Sequence, residues 1–481
     1  MMKCMVIERE EMQEIVRRYK EPIGLNLGSH SALDAWQGQR NYGVRSIIYT
    51  TPGRARIYLQ NPMVGKPDEP VEDLPGLVKR DLRVVNDPKD IKKTGDWRSC
   101  IVILDKYSDV VKFTDELVDL ECMQITNRAF AVYVGGDEKC SVIEDDYAVP
   151  ILGSRTLLKI ENRGELEKDY YWFAEKAGIP TPKAYKYEVT GSGVHFKEPI
   201  DEPMILKAEY AHRAFEREFI FAADSGDLEE KVAREVKAGN LSREGLEHGR
   251  IEQIVLGPHA NFNFFFSPLD AESDWGDVDV WFSKLYNVSK EEARICLANQ
   301  FLSIDERRET ILDGLKRLPT DVQNKIKKVP SFEVTAHAIL SLRESLLKDL
   351  HRYADRFLLA CREHAAPGIV GPWCLQTLIT WDRVSKYELR PTAKLDFTTG
   401  SEAKKMTDYG LYDVPDARDP YMHIPVTQDV ALRHGGGTNV HMGLGAQYAN
   451  AKYKRRLSTG DRIGLEIKRA LSTKKLHELV T

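Results

Sequence analysis

Hydrophobic residues recur in short runs that alternate with amphipathic segments along the first third of the chain. Apolar runs at Ile23–Leu27 and Val44–Thr50 enclose a turn and a helical pattern that ends near Gln39. Strand, helix and strand in this order predict a βαβ unit, which is right-handed by default. Further short strands of the same layer are predicted at Ile101–Leu104 and Phe130–Val134.

Beyond residue 150 the pattern changes to longer helices separated by apolar strands. Asn162 and Glu165 form a capping-box pattern that predicts a helix through Ala177. The other predicted elements are strands at Pro203–Tyr210, Arg217–Ala223, Ile251–Gly257 and Ala260–Leu269, and helices near Leu228–Ala238, Phe332–Leu346, Leu350–Ala365 and Ile463–Leu471. The whole pattern predicts an N-terminal βα layer followed by an α+β body.

A β-hairpin is predicted around a turn centred on Asp382. Its strands are the β-rich runs Cys374–Thr380 and Val384–Leu389. This register places Gln376 opposite Glu388, with β-carbons roughly 5 Å apart. An amide oxygen and a carboxylate at that distance suit a hard cation such as Mg²⁺. The alternative, which periodicity alone favours, is a polar cross-strand pair on a half-exposed sheet.

The turn after the first strand is a candidate anion site. Gly28, Ser29, His30 and Ser31 lie between the carboxyl end of a predicted strand and the amino end of a helix. Free backbone N–H groups and the helix dipole favour an anion such as phosphate there. The alternative is that Ser29 or Ser31 only caps the helix, and both roles are compatible because they use the same donors.

Lys207 stands out because it lies inside an apolar predicted strand. A buried lysine is costly unless its ammonium reaches an anion or extends along the surface to solvent. The second arrangement is the commoner one, and the local pattern by itself favours it.

The composition narrows the class of protein without adding a site. The 481 residues are too many for one hydrophobic core and predict two or three domains. A net charge of −5 gives no electrostatic reason to expect nucleic acid or an anionic membrane as a partner. The charged N-terminus, the lack of a long apolar segment and seven scattered cysteines predict a cytoplasmic protein with reduced thiols.

A series of segments in register resembles one known family. The segments are LGSHSALDAWQGQRNYG (27–43), VPILGSRTLLKIE (149–161), AGIPTPKAY (177–185), ILKAE (205–209), RIEQIVLG (250–257), FNFFFSPL (262–269), DERRETILDGLKRLPTDVQ (305–323), LRESLL (342–347), PGIVGPWCLQTL (367–378), GGTN (436–439) and STGDRIGLEIKRAL (458–471). The chain thereby resembles the archaeal ATP-grasp ligases of purine synthesis. These enzymes make 5-formaminoimidazole-4-carboxamide ribonucleotide (FAICAR) from formate, ATP and the amine AICAR.

The resemblance implies the fold, the reaction and the partners. The expected fold is α/β and α+β, with a Rossmann-like βα pre-ATP-grasp domain at 1–150 and ATP-grasp subdomains A at 151–245 and B at 246–481. Two stretches, near 271–298 and 392–434, resemble insertions. The expected activity is an ADP-forming carbon–nitrogen ligase that passes through formyl phosphate. The expected partners are these small molecules and, as a homo-oligomer, further copies of the chain.

The resemblance also assigns the cofactor residues. Lys207 matches the strand lysine that is directed at the nucleotide phosphates, which supply the anion it needs. Glu252 or Gln253 matches the strand that binds adenine and ribose. Gln376 and Glu388 match the ligands of Mg²⁺, for which Mn²⁺ is the alternative ion.

Substrate contacts are implied at four further positions. His30, with Ser29 beside it, matches the AICAR pocket. Asn439 is expected at the rim of this pocket, and Arg343 is expected at the rim with a catalytic role beside Lys207.

Some positions differ from the family's pattern. The loop at 208–218 contains no glycine, so Arg213 is expected to supply side-chain charge where relatives use backbone N–H groups. Asn127, Ala129 and Ile311 replace a histidine, a serine and an asparagine of the substrate pocket. Such losses of hydrogen-bonding groups favour, as the alternative, a ligase for another small carboxylate and amine. A non-catalytic nucleotide-binding relative is the remaining alternative.

Overall fold

The computed structural model describes residues 7–135, 141–161, 168–191, 193–208, 219–308, 311–326, 334–382 and 422–481. Three main sheets with surrounding helices account for most of these residues. None of the helices in these ranges is both long and apolar enough to cross a lipid bilayer.

The helices vary from one turn to six turns in length. They are α1 (Arg9–Val16), α2 (Ala32–Asn41), α3 (Pro52–Gln60), α4 (Leu74–Asp81), α5 (Thr114–Asp119), α6 (Arg128–Val134), α7 (Ser141–Asp145), α8 (Tyr170–Lys176), α9 (Ser225–Lys237), α10 (Arg243–Glu247), α11 (Pro268–Ala271), α12 (Asp277–Tyr286), α13 (Lys290–Ala298), α14 (Ile311–Lys316), α15 (Thr320–Gln323), α16 (Glu344–His364), α17 (Gln447–Tyr453) and α18 (Thr459–Ser472). Short 3-10 helices lie at Pro88–Asp90, Tyr107–Phe113, Thr156–Glu161, Gly436–His441 and Leu476–Leu479.

Parallel strands form the N-terminal sheet. They are β1 (Ile23–Leu27), β2 (Arg45–Thr50), β3 (Leu82–Val85), β4 (Ser99–Ile103), β5 (Cys122–Ile125) and β6 (Ile151–Leu152). Their order is β3-β4-β2-β1-β5-β6, so the predicted βαβ unit from β1 through α2 to β2 is confirmed. All five residues of β1 are buried, as expected for a parallel strand between two layers of helices.

One predicted strand of this layer is a helix. Phe130–Val134 belongs to α6, and β5 takes the place in the sheet. Phenylalanine, valine and tyrosine favour strands, but Asn127 accepts a hydrogen bond from the Phe130 N–H at 3.0 Å and begins the helix. This cap and the burial of Phe130 in the core beneath the sheet override the strand propensity.

Helix α18 returns to the N-terminal sheet and packs against α2. A β-carbon at Gly460 would overlap the carbonyl of Asp34, and one at Gly38 would overlap the backbone of Gly460. The Asp34 carboxylate accepts hydrogen bonds from Ser458 Oγ at 2.6 Å and from the Gly460 N–H at 3.0 Å. The last helix is therefore packed on the N-terminal layer, which the predicted range 246–481 for one subdomain does not reflect.

Antiparallel strands form the second sheet and a small ribbon beside it. They are β7 (Ala184–Tyr185), β8 (Glu188–Thr190), β9 (Gly193–His195), β10 (Met204–Lys207), β11 (Phe219–Ala222) and β12 (Arg250–Gln253). The sheet has the order β11-β10-β12-β7, and β8 pairs with β9. Helix α9 covers this sheet through Leu228 and Val232, which are fully buried with Met204, Leu206 and Ile251.

The third sheet is also antiparallel and contains the longest strands. They are β13 (His259–Phe266), β14 (Asn299–Arg308), β15 (Ala336–Ile339), β16 (Gly371–Asp382) and β17 (Met422–Ala431), in the order β15-β14-β13-β16-β17. Phe264 and Trp373 on one face stack with ring centroids 5.0 Å apart and pack against Phe357 of α16. The opposite face carries a row of polar side chains.

The predicted hairpin is wrong in its pairing. Strand β16 continues to Asp382 and pairs with β17, so Gln376 lies opposite Asp429 and Thr380 opposite Ile424. Residues 383–421 separate the two strands in sequence, and a local turn pattern cannot reveal a connection of that length. Glu388 lies outside the described residues.

Three further predictions meet the structure in different ways. The helix predicted at Phe332–Leu346 is wrong, because β15 and a short connection precede α16. The stretch near 271–298 forms α12 and α13. The capping-box pair at 162 and 165 lies outside the described residues, and Asp169 caps α8 by accepting a hydrogen bond from the Trp172 N–H at 3.0 Å.

Candidate active site

Lys207 is the last residue of β10 and is buried where the second sheet faces the third. Its Nζ forms an ion pair with Glu252 and a hydrogen bond with Tyr171 Oη at 3.3 Å. Arg250, opposite Lys207 in the register, donates from Nε to Glu252 at 2.6 Å and stacks over the Tyr171 ring at 3.6 Å from its centroid. The lysine therefore reaches an anion inside the protein rather than extending to solvent.

Glu252 remains ionised although it is fully buried. Burial raises the pKa of this carboxyl, but Lys207 and Arg250 lower it by more, so that the pKa lies below its ordinary value. The group of three then carries two positive charges and one negative charge. A phosphate placed beside Lys207 would supply the second negative charge.

A small apolar cluster follows this charged group along the chain. Val255, two residues after β12, packs with Leu378, Val426 and Ile424 of the third sheet. Gln253 is the last residue of β12, and its Oε1 is buried without a hydrogen-bond partner among the described residues. An apolar surface beside an unused acceptor suits a flat base that carries an amino group.

Gln376 and Asp429 form a pair of oxygen donors on the polar face of the third sheet. They are directly opposed in the register of β16 and β17 and nearly buried. The Gln376 Oε1 accepts a hydrogen bond from Arg307 of β14. The structure thus replaces the predicted partner of Gln376 with Asp429, which sequence reasoning missed.

This pair fits a divalent cation that shares its ligands with phosphate. No three His, Cys, Asp or Glu side chains of the described residues converge to hold a metal by themselves. Magnesium in nucleotide sites takes one or two protein oxygens and completes its shell with phosphates and water. An amide oxygen and a carboxylate one strand apart match that requirement, provided that Arg307 leaves the Gln376 oxygen.

The turn after β1 is not held by a side-chain cap of α2. Neither Ser29 nor Ser31 caps α2 with its side chain. Ser29 Oγ instead accepts a hydrogen bond from Arg54 Nη1 at 2.6 Å, and the Ser31 Oγ is buried without a partner among the described residues. His30 between them has a positive φ of 50°, which turns its side chain away from the helix.

Positive charge surrounds His30. Desolvation, together with the guanidinium groups of Arg433, Arg128 and Arg54, lowers the pKa of the His30 imidazole to about 4. Arg433 and Arg128 both pair with the buried carboxylate of Glu161, at 2.6 and 3.5 Å. A neutral imidazole among three arginines is an environment that favours an anionic group of a substrate.

The glycine run after β17 joins this turn to the third sheet. Asn439 donates from Nδ2 to the His30 carbonyl oxygen at 2.9 Å. A β-carbon at Gly436 would lie 3.2 Å from His30 Nδ1, so the glycine lets the backbone pass close to the imidazole. The structure therefore brings Asn439 together with Ser29 and His30, as the resemblance implied.

Arg343 lies on the other side of the third sheet. It precedes α16, forms a contact of 2.6 Å with His423 Nδ1 and lines a cavity of about 290 Å³ together with Ile379 and Leu346. Ile379 belongs to the face that packs on α16, whereas Gln376 belongs to the opposite face. The structure does not bring Arg343 to the polar face, and Arg213 lies outside the described residues.

Comparisons with known proteins agree with this architecture. Two family models match the chain: "Protein of unknown function (DUF1246)" over residues 25–185, and "Domain of unknown function (DUF1297)" over residues 227–391 and 410–481. A relative from Methanopyrus kandleri is 27% identical over 395 residues, which cover 81% of this chain and 88% of the relative. A relative from Methanothermobacter thermautotrophicus is 24% identical over 479 residues, which cover 99% of each chain.

Both relatives are named 5-formaminoimidazole-4-carboxamide-1-(beta)-D-ribofuranosyl 5'-monophosphate synthetase. Among solved structures, the IMP biosynthesis protein PurP from Thermococcus kodakaraensis superposes with a TM-score of 0.54 at 19% identity. The superposition covers 95% of this chain and all of that one. The two family models together match most of the chain, and the chain is similar to PurP over nearly its whole length. Its fold is the ATP-grasp fold, as the resemblance predicted.

Two residues of the candidate site were missed because no local pattern marks them. Asp429 became visible only when the register of β17 was known. Asp305 of β14 is the other: its carboxylate is 1% exposed and lies in the same polar row as Asn261 and Gln376. The signal available in the sequence was the alternation of polar residues at 261 and 263 within an otherwise aromatic strand.

Proposed function

We propose that the protein is an ATP-dependent ligase that joins formate to the amine of AICAR and forms FAICAR, ADP and phosphate. The observation that carries this proposal is the buried lysine–carboxylate–arginine group on one sheet, which faces an amide–carboxylate pair on the next. The names of the relatives that align with nearly the whole chain support the choice of substrates.

The chain's residues divide the work of the first step, in which formate attacks ATP and formyl phosphate forms. Phosphoryl transfer depends mainly on in-line positioning and on neutralisation of negative charge. In this proposal, Lys207 contacts phosphate oxygens of ATP once it releases Glu252. The adenine base packs against the apolar cluster of Val255, Leu378 and Val426. Gln376 and Asp429 would hold Mg²⁺ or Mn²⁺, which when bound adds positive charge at the phosphates.

The second step needs the amine of the ribonucleotide close to the acyl phosphate. Ser29, His30 and Arg54 offer the anion site for the ribonucleotide phosphate, and Asn439 fixes the His30 backbone. Formyl phosphate hydrolyses readily, so the amine must be bound before water enters. The glycine run at Gly436 and Gly437 connects the N-terminal turn with the polar face of the third sheet over a short distance. This arrangement places the ribonucleotide site close to the site of the acyl phosphate.

Two positions that differ from the family's pattern bear on the choice of substrate. Asn127 donates to the carbonyl oxygens of Leu27 and Ser29 at 3.1 and 3.2 Å and also caps α6. Ala129 has no exposed surface. Asn127 therefore supports the turn proposed to bind the substrate, which is compatible with AICAR, and a ligase for another amine stays the alternative.

The test uses purified protein with ATP, Mg²⁺ and formate, with and without AICAR. We expect AICAR-dependent release of ADP and an equal amount of FAICAR, measured by chromatography. ADP without FAICAR would contradict the choice of substrates, and replacement of formate by acetate or glycine would then identify the carboxylate. Absence of ATP binding by calorimetry would contradict a ligase of any kind.

A further inference from the structure

The carboxylate of Asp305 is held in one orientation by two amides. Asn261 donates from Nδ2 to Asp305 Oδ2 at 2.8 Å, and Asn263 donates from Nδ2 to Asp305 Oδ1 at 2.9 Å. Both asparagines project from the same face of β13, two residues apart, so each carboxylate oxygen receives one donor. A buried carboxylate with both oxygens fixed is suited to orient a third group rather than to move itself.

His337 lies beside this carboxylate. Its Nδ1 is 3.8 Å from Asp305 Oδ2, and this nitrogen has no hydrogen-bond partner among the described residues. Burial and the charge of Arg307 lower the pKa of His337 below the ordinary value, although Asp305 opposes this shift. The imidazole is therefore neutral at physiological pH and able to accept a proton.

The pair of Asp305 and His337 adjoins the substrate turn. A β-carbon at Gly437 would lie 2.7 Å from His337 Nδ1 and 3.0 Å from both oxygens of Asp305. The preceding residue, Gly436, makes the corresponding close approach to His30. Because successive Cα atoms are about 3.8 Å apart, His30 and His337 flank one short piece of backbone.

We propose that His337, oriented by Asp305, is the general base of the second step, which rests on the function proposed above. As the substrate nitrogen forms its bond to the formyl carbon, His337 takes a proton from that nitrogen. The bond between the formyl carbon and the phosphate oxygen then breaks, and the proton passes from His337 to the departing phosphate. No oxidant, reductant or further reactant is needed.

Other charged groups face the same place. Arg307 on β14 and His30 on the N-terminal turn are the cationic or titratable neighbours of His337, and His441 of the following 3-10 helix lies near Asp305. The charge of Arg307 contributes to the lowered pKa of His337, and the pKa of His30 is lowered to about 4. His337 is the imidazole of this group that lies beside the fixed carboxylate of Asp305.

The two steps of the reaction separate this role from a structural one. Hydroxylamine traps formyl phosphate as formohydroxamate and needs little help from a base, whereas AICAR carries a weakly nucleophilic aromatic amine. In His337→Asn we expect formohydroxamate from ATP, Mg²⁺ and formate within about twofold of wild type. FAICAR formation should fall by about 10²-fold or more, the usual contribution of a general base. AICAR affinity, measured by calorimetry, should change by less than about threefold.

Asp305→Asn is the second variant and keeps the shape of the side chain. We expect the same division, with trapping retained and FAICAR formation reduced by about tenfold, because His337 remains but is no longer oriented. His195→Asn, which changes the exposed residue of β9, is the matched control and should behave as wild type.

Each result decides between distinct ideas. Equal losses of formohydroxamate and FAICAR in His337→Asn, or unchanged FAICAR formation, would overturn the role as a general base. Unchanged FAICAR formation in Asp305→Asn would overturn the orienting role. Absence of both products in the wild type would instead refute the proposed function itself.

Discussion

Two buried carboxylates of this protein each lie between two cations, yet they have different surroundings. Glu252 contacts Lys207 and Arg250 at the edge of the cleft between the second and third sheets. Glu161 contacts Arg433 and Arg128 and also accepts a hydrogen bond from the Leu432 N–H at 3.1 Å. The backbone bond ties Glu161 to the end of β17, whereas Glu252 is bound by side chains.

The difference separates an exchangeable ion pair from a permanent one. Among the residues that the structure describes, side chains bind the Glu252 carboxylate, so Lys207 can exchange it for a phosphate while Arg250 remains to compensate it. Glu161 stays attached to the backbone at Leu432 whatever its arginine partners do. The nucleotide side is therefore built to change partners, and the substrate side is built to stay in place.

Lys207→Met should have the largest effect. Removal of the ammonium leaves the nucleotide phosphates without their neutralising group, and we expect kcat/KM for ADP release to fall by at least about 10²-fold. The measurement is a coupled assay of ADP. Lys231→Met, which removes an ammonium from the surface of α9, should stay within twofold of wild type.

Asp429→Asn tests the metal pair on the exchangeable side. Loss of the carboxylate charge should raise the Mg²⁺ concentration for half-maximal ADP release by about tenfold or more. The resemblance predicts that Glu388→Ala abolishes ADP release while the fold stays intact. Suppose that Asp429→Asn shows normal Mg²⁺ dependence while Glu388→Ala loses ADP release. This result would show that the pairing of β16 with β17 does not define the metal ligands.

Glu161→Gln tests the permanent side. The change leaves two arginines in a buried place without their anion, and we expect the free energy of unfolding in urea to fall by about 3 kcal/mol. Glu247→Gln, which breaks an exposed pair with Arg243, should cost less than about 0.5 kcal/mol.

Glu252→Gln sharpens the contrast between the two sites. Addition of a non-hydrolysable ATP analogue should restore part of the stability lost in Glu252→Gln, because phosphate replaces the missing anion. It should restore none of the loss in Glu161→Gln. Equal recovery in both variants would contradict the distinction between exchangeable and permanent pairs.

The smallest expected effect concerns pH, since histidines with a lowered pKa lie on both sides. Burial and nearby cations lower the pKa of His259, near Lys207 and Arg307, to about 4, as they do for His30. The folded state thus binds fewer protons than the unfolded chain, whose histidines titrate near 6.5. Stability should fall as the pH decreases from about 6.5 to 4.

Thermal unfolding across this pH range checks the prediction. His259→Gln and His30→Gln should each flatten the decline, and bound nucleotide should reduce the share of His259 because it adds negative charge. A decline that both variants leave unchanged would assign the pH dependence to other groups.

The sequence predicted the local parts of the fold better than the long-range pairing. Strand β1 was placed at its observed bounds, and β2, β10 and β13 within a few residues, because apolar runs bounded by turn residues mark strands directly. The strand predicted at Phe130–Val134 was wrong because a helix cap and tertiary packing outweighed strand propensity. The predicted partner of Gln376 was wrong because the register depends on a strand that is distant in sequence, and no local pattern records its position.

Residues of the candidate site could be predicted where they lie in motifs of the resembled family. Lys207 and Glu252 form an ion pair, and Ser29, His30 and Asn439 lie together, whereas the cofactor roles that the resemblance assigns to Lys207, Glu252 and Gln376 stay predictions. Arg343 lies on the opposite face, because the alternation of side chains along β16 separates Ile379 from Gln376. Asp305 and His337 escaped notice since they belong to different strands and meet only in the folded sheet.

The crossing of α2 and α18 has a mechanical consequence. Backbones that touch through Gly38 and Gly460 leave no layer of side chains to slide or repack, so the two helices are expected to move as one piece. Helix α2 begins at the substrate turn, and α18 is anchored to it through Asp34. Any closure over ATP should then fall to the second sheet, swinging about the segment after β12, while the other two sheets act as a fixed base. On the function proposed above, the second sheet would move toward the nucleotide, and the ribonucleotide would bind to the part of the protein that stays fixed.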